Sequence, residues 1–185
     1  VPLSAVTPEL RRRAKAVNFG IIYGISSYGL AKDLNCSNAE AQSYIDGYFQ
    51  TYPEVKSYME ENVRRAREDG YITTILGRRR YMPELRSSSY TTRSFGERAA
   101  MNMPLQGSSA DIIKLAMLGV DRRLREEGLS AKLVLQVHDE LILDTPKEEA
   151  ERTAAVLKEE MEKAVKLEVP LIADVSTGRS WYDAK

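Results

Sequence analysis

The hydrophobic period changes once along this chain, and that change limits the fold more than any other feature. The first two thirds are divided by cap and turn signals into helix-length stretches. From Lys132 the period becomes two: Leu133, Leu135 and Val137 share one face, and after a tight turn Leu141 and Leu143 alternate with Glu140, Ile142 and Asp144. One such switch predicts an α+β chain, with a helical first part followed by a hairpin whose apolar side needs cover.

The punctuation places the elements. Thr7-Pro8-Glu9 starts a helix, with Thr7 as N-cap, Pro8 at the first helical position and Glu9 at the positive end of the dipole. It runs to about Tyr23 and stops at Gly24, after which Gly24, Ser26, Ser27 and Gly29 turn the chain. Ser37 to Glu40 and Thr51 to Glu54 read as capping boxes opening helices over about 38–50 and 53–69, the second closed by Gly70. Tyr71–Leu76 and Arg79–Met82, around Gly77-Arg78, form a short hairpin. A Ser/Thr-rich loop, Ser87 to Thr92, leads into a helical region that Pro104 and Gly107 bend or split, and that Ser108 with Asp111 restarts. Thr145-Pro146-Lys147-Glu148 opens a charged helix to about Lys166, and Leu171–Ser176 is a last strand, completing a ββαβ unit. A boundary near 86 gives two parts, 1–86 and 87–185.

Composition excludes several classes. The one cysteine, Cys36, forbids an internal disulfide, and the one histidine, His138, leaves no Cys/His zinc cage. No apolar run approaches the ~20 residues of a membrane span, and Val1 to Glu9 lacks the basic-then-apolar pattern of a signal peptide, so no membrane is implied and a cytoplasmic location is expected. Lys+Arg and Asp+Glu both number 27, which argues against a binder held to phosphates by bulk charge. The zero hides an asymmetry: residues 1–90 carry 13 cations against 10 anions, and residues 91–185 carry 14 against 17. Cations cluster at Arg11-Arg12-Arg13 with Lys15, at Arg64-Arg65 with Arg67, and at Arg78-Arg79-Arg80, so patches matter more than the total.

Three constellations carry chemistry. On the first helix, Leu10, Ala14, Val17 and Ile21 form a core stripe, while Arg11, Lys15, Phe19 and Tyr23, each four apart, line the other side. Two cations followed by two aromatics suit a nucleotide, with phosphates at Arg11 and Lys15 and base or sugar against the rings. Packing of the two rings on a neighbouring helix explains the pattern equally well. The tip of the later hairpin, Gln136-Val137-His138-Asp139-Glu140, is polar and lacks glycine. Its adjacent carboxylates suit Mg2+, which takes one or two carboxylates plus phosphate oxygens, although the triplet alone reads more simply as an exposed turn. Arg98, Asn102 and Gln106, again four apart, can donate to base edges and sugars, or can merely form a polar outer helix face. No G-x-S-x-G is present to support a serine hydrolase.

Taken in order, these residues resemble the family A DNA polymerases. Arg11-Arg12-Arg13-Ala14-Lys15-Ala16-Val17-Asn18-Phe19-Gly20-Ile21-Ile22-Tyr23-Gly24 is similar to the family's motif B, on the fingers helix. Leu135-Gln136-Val137-His138-Asp139-Glu140-Leu141 is similar to motif C, on the palm hairpin. Gly77-Arg78-Arg79-Arg80, Glu97-Arg98-Ala99-Ala100-Met101-Asn102 and Gln106-Gly107-Ser108-Ser109-Ala110-Asp111-Ile112-Ile113 match between them, so the likeness covers essentially the whole chain.

The resemblance implies a helical fingers subdomain at 1–86 and part of the antiparallel-sheet palm of a right-hand polymerase at 87–185. It implies DNA-directed DNA polymerase activity in replication and repair: dNTPs added to a primer 3′-hydroxyl on primer–template DNA, with two Mg2+ ions, in the cytoplasm at the nucleoid. By the same likeness Arg11 and Lys15 contact the triphosphate, Lys15 can also donate a proton to the leaving pyrophosphate, Phe19 packs on the sugar, and Tyr23 stands beside the nascent pair. Arg98, Asn102 and Gln106 match positions on the primer–template duplex, His138 one near the primer terminus, Asp139 a metal-binding aspartate and Glu140 a supporting neighbour. The family's first catalytic aspartate belongs to motif A, which precedes motif B and is absent here. The chain alone is therefore expected to be inactive without the remaining segments, the motif A palm and the thumb. A non-catalytic DNA- or nucleotide-binding module and a single-subunit RNA polymerase fragment are the alternatives; Asn18-Phe19-Gly20 and His138 to Leu141 resemble the DNA enzymes more closely.

Overall fold

The computed structural model describes residues 2–184. They form two compact units, Val1–Gly107 and Ser108–Lys185.

The first unit opens with α1 (Pro8–Ile22), whose N-cap Thr7 accepts from the backbone N–H of Leu10 at 3.2 Å. At its other end Gly24 takes a φ of +69°, so the expected glycine stop holds. The Gly/Ser stretch does more than turn the chain. Ser26 accepts from Gly29 N–H at 3.2 Å and caps a further helix, α2 (Ser27–Leu34), which the turn residues disguise in the sequence. Ser37 caps α3 (Asn38–Thr51) through Glu40 N–H, as its capping box predicts. Thr51 does not cap α4 (Pro53–Asp69). It is the last residue of α3 and its hydroxyl donates back to the Gly47 carbonyl at 2.8 Å, while Tyr52 takes the cap position and Pro53 the first turn.

Strands β1 (Tyr71–Thr73) and β2 (Arg79–Tyr81) pair antiparallel, with Tyr71 opposite Tyr81 and Thr73 opposite Arg79. Two cores hold this unit. Leu30, Ala31, Leu34 and Ala41 join α2 to α3, with Val17 and Ile25 packed against them. Val63, Ala66, Ile72, Met82, Leu85 and Ala100 join α4 and the hairpin to α5 (Tyr90–Glu126). Only the C-terminal half of the expected α1 core stripe is covered: Ile21 is buried, whereas Leu10 is 42% exposed.

Helix α5 runs unbroken through Pro104 and Gly107. Proline there forfeits one backbone donor without ending the helix. Gly107 is a contact residue instead of a stop: a Cβ on it would lie 2.7 Å from Thr74 Cγ2, and its carbonyl accepts from Arg78 at 3.1 Å. The two units divide inside this helix, not at the Ser/Thr loop, because Ala99, Met101 and Met103 pack on the hairpin core of the first.

In the second unit β3 (Lys132–Val137) pairs antiparallel with β4 (Glu140–Asp144). The register steps from Leu133 opposite Leu143 to Leu135 opposite Ile142, so Val134 is an extra residue and the strict alternation fails. Leu133 keeps the side of Leu141 and Leu143, while Leu135 and Val137 move to the face of Ile142 and Glu140, and Leu135 is left 46% exposed. The following helix starts later than predicted: Lys147–Glu149 is a 3-10 turn and α6 spans Ala150–Lys163. Ala116, Val120, Leu124, Leu141 and Val156 make the core. Residues 171–176 form no strand. Ala173 N–H donates to Glu162 Oε1 at 3.1 Å instead of joining a ladder, so the expected ββαβ unit is ββα followed by an irregular tail. Among the described residues no helix is long and apolar enough to cross a membrane.

Candidate functional site

The first unit carries seven of the predicted residues, on α1 and its C-cap Tyr23 and on α5. Along α1 the cations fall into two kinds. Glu9 accepts from Arg12 at 2.8 and 2.9 Å and from Arg13 at 3.0 Å, and these two guanidinium groups hold its carboxyl down at about 2, with the hydrogen bonds leading. Arg13 also lies 3.9 Å from Glu40. Arg11 and Lys15 have no carboxylate partner among the described residues. Lys15 Nζ instead sits 5.7 Å from the centroid of Phe19, whose ring is 49% exposed. A helix face with two uncommitted cations and an open ring is a surface for an anionic, flat ligand. Tyr23 is also 48% exposed, so both rings keep an open side.

Tyr23 is joined to α5. Its hydroxyl accepts from Gln106 Nε2 at 3.0 Å. One residue on, Gly24 touches the same helix so closely that a Cβ would lie 2.9 Å from Arg98 Cγ and 3.2 Å from Met101 Sδ. A cleft of about 480 Å3 opens here, lined by Tyr23, Gly24, Ser26, Ser94, Arg98 and Met101. Arg98 donates to Ser94 Oγ at 2.8 Å within α5. Asn102 is buried at 8% exposure, so Arg98, Asn102 and Gln106 do not form one outer polar face. Gly24, which the sequence marks only as a helix stop, and the brace from Tyr48, whose hydroxyl donates to Asn18 Oδ1 at 3.1 Å, join the site. The first had a signal, a glycine at a helix end; the second pairs residues 30 apart and had none.

The second unit carries the rest. His138 and Asp139 are the two residues of the β3–β4 turn, and His138 adopts a φ of +54°. Positive φ at the first turn position alone has the signs of a II′ turn, which favours glycine there. Gln136 Nε2 donates across the turn to the His138 carbonyl at 2.5 Å. Asp139 has no hydrogen bond or ion pair among the described residues, while Glu140 Oε2 accepts from the indole N–H of Trp181 at 3.3 Å. Trp181 was not singled out in the sequence, although a lone tryptophan in a polar tail is a signal worth following.

Among the described residues no three His, Cys, Asp or Glu side chains converge to cage a metal ion. A single unpartnered carboxylate at a turn fits a hard cation that completes its shell with phosphate oxygens and water.

Comparison with known proteins identifies the family. The family model for DNA polymerase family A matches residues 1–183. The chain belongs to DNA polymerase family A. It is 58% identical over 180 residues to DNA polymerase I of Bacillus caldotenax, an overlap of 97% of this chain and 20% of that protein. DNA polymerase I of Bacillus subtilis is 54% identical over the same shares, and that of Caldicellulosiruptor bescii is 49% identical over 100% of this chain and 22% of its own length. Among solved structures, the POL domain of Pol1 from M. smegmatis in complex with DNA primer-template and dNTP matches with a TM-score of 0.96 at 48% identity, covering 100% of this chain and 32% of that one. The family resemblance and the α+β class are borne out. The chain spans about a fifth of the length of the curated relatives it matches.

Proposed function

We propose that this chain is the fingers and C-terminal palm portion of a DNA-directed DNA polymerase, adding dNTPs to a primer 3′-hydroxyl as the template directs. The fingers reading covers 1–86 and the palm reading 87–185, even though α5 belongs to both compact units. The observation that carries the proposal is the division of labour on α1: Arg12 and Arg13 are committed to Glu9, whereas Arg11 and Lys15 are uncommitted beside the open rings of Phe19 and Tyr23.

In this reading Arg11 and Lys15 bind the triphosphate, and Lys15 also donates a proton to the leaving pyrophosphate. Phosphoryl transfer needs mainly positioning and compensation of charge, which two cations on one helix face supply. Phe19 offers its exposed face to the sugar, and Tyr23 borders the nascent pair. Arg98 and Gln106, with Asn102 beneath them, meet the primer–template duplex. His138 stands near the primer terminus. Asp139 is the residue that would hold Mg2+, with Glu140 supporting it. Bound there, Mg2+ supplies activation of the 3′-hydroxyl and compensation of charge on the leaving oxygen.

The test is a chimera in which this chain replaces the matching 180 residues of the Bacillus subtilis relative. Arg11→Ala and Lys15→Ala each lower kcat/KM for dNTP by about tenfold or more, as loss of a charge-assisted contact demands. Arg12→Ala stays within about twofold, since its partner is Glu9. Equal losses at Arg11 and Arg12, or none at Lys15, overturn the assignment.

A further inference from the structure

The tail that follows α6 is built to deliver one side chain. Ala173 is buried and its N–H is fastened to Glu162 of α6. Farther along, Ser180 and Asp183 close a tight turn: Ser180 Oγ donates to Asp183 Oδ2 at 2.8 Å, and the N–H groups of Asp183 and Ala184 donate to the Ser180 carbonyl at 3.1 and 3.2 Å. Gly178 lies under this turn so closely that a Cβ would come within 2.8 Å of Ala184 N, so only glycine admits the chain there. Trp181 sits inside the turn, and its indole N–H reaches Glu140 Oε2 at 3.3 Å.

Glu140 is the first residue of β4, directly after Asp139. The hairpin tip is thus held from two sides: Gln136 grips the His138 carbonyl from β3, and Trp181 grips Glu140 from the tail. Two adjacent carboxylates on a flexible tip can swing together onto one divalent cation and exhaust sites that phosphate oxygens need. A neutral donor fixed on the second carboxylate prevents this, and leaves Asp139 the tip carboxylate with no partner among the described residues.

We propose that Trp181 is a positioning residue that tethers Glu140 to the C-terminal tail and so sets how the acidic hairpin tip presents Asp139. This rests on the reading of Asp139 and Glu140 given above, but the tether is testable without it. Trp181 is the chain's one tryptophan, so its fluorescence reports the contact directly. In the 185-residue chain, Glu140→Ala removes the acceptor and shifts the emission of Trp181, while Glu148→Ala does not; identical emission in wild type and Glu140→Ala overturns the tether.

Kinetics in the chimeric polymerase test the role. Trp181→Phe keeps the ring and removes the donor, so kcat falls by about fivefold, the loss of one partly exposed hydrogen bond to a charged group. The Mg2+ concentration giving half the maximal rate moves by threefold or more in the same variant, whereas KM for dNTP and the thermal midpoint stay put. Trp181→His, which retains an N–H donor, restores most of the rate. Trp181→Phe combined with Glu140→Ala is no slower than Glu140→Ala alone, because both act through one contact. Unchanged kcat and Mg2+ dependence in Trp181→Phe, or fully additive losses, overturn the proposal. Asp139→Ala is assayed beside them: full activity there defeats the metal reading, while the fluorescence result decides the tether by itself.

Discussion

Gln106 donates its amide to the hydroxyl of Tyr23 at 3.0 Å, joining residues 83 apart in sequence. One is proposed to border the nascent base pair and the other to touch the duplex, so a change at either is felt by both. Tyr23→Phe and Gln106→Leu should therefore couple. In the chimeric polymerase the double-mutant cycle on kcat/KM gives an interaction of about 1 kcal/mol, the net worth of one hydrogen bond. Additive effects would show that the two side chains act separately.

Gly24 meets α5 under two constraints at once. Its φ of +69° is strained for any L side chain, and the space for a Cβ is already filled by Arg98 Cγ at 2.9 Å. Gly24→Ala is expected to cost about 2 kcal/mol, from the left-handed conformation and the clash together. The displaced side chain is Arg98, so affinity for primer–template falls more than KM for dNTP does. Gly47→Ala, with open space around it, serves as the comparison and should leave both unchanged. Similar thermal midpoints for the two variants would refute the close-approach account.

How much of this was legible in advance depended on how local the cause was. Thr7 and Ser37 capped the helices they were expected to cap, because a cap needs only its own next three residues. The α1 face was legible for the same reason, since helical spacing alone puts Arg11, Lys15, Phe19 and Tyr23 on one side. The misses came from tertiary contacts. Gly107 looked like a break because its reason, the Thr74 side chain, lies elsewhere in the chain. The bulge at Val134 left no mark on an alternating run, yet it turned Leu135 out of the core. The last strand was sound as a pattern and had nothing to pair with among the described residues. Asn102 read as an outer polar residue and is buried, which spacing along one helix cannot reveal.

Acid should loosen the start of α1. The Glu9 carboxyl is held at about 2 instead of its ordinary 4.5 by hydrogen bonds from Arg12 and Arg13. A carboxyl whose folded value is depressed stabilises the fold above its unfolded value, and that contribution drains away as pH falls from about 4.5 toward 2. Carboxyl NMR shifts of Glu9 should titrate below those of exposed glutamates elsewhere in the chain. Because Glu9 and Arg12 are more than half exposed, added salt moves the titration back toward the ordinary value. A midpoint near 4.5 at low salt would mean that the two arginines are not engaged with Glu9.

His138 holds a backbone conformation that glycine would hold more easily, at φ +54° in a two-residue turn. At most positions glycine is less stable than alanine by about 0.5–1 kcal/mol, because it has more freedom to lose. At this turn the order inverts: His138→Gly should be more stable than His138→Ala by about 1 kcal/mol, since alanine keeps the left-handed penalty and glycine escapes it. The strain is tolerated because the imidazole is proposed to serve the primer terminus, so both variants lose polymerase rate in the chimera although one of them gains stability. Thermal midpoints in the order alanine above glycine would show that the turn is not strained. A His138→Gly enzyme with undiminished rate would remove the reason for keeping histidine there.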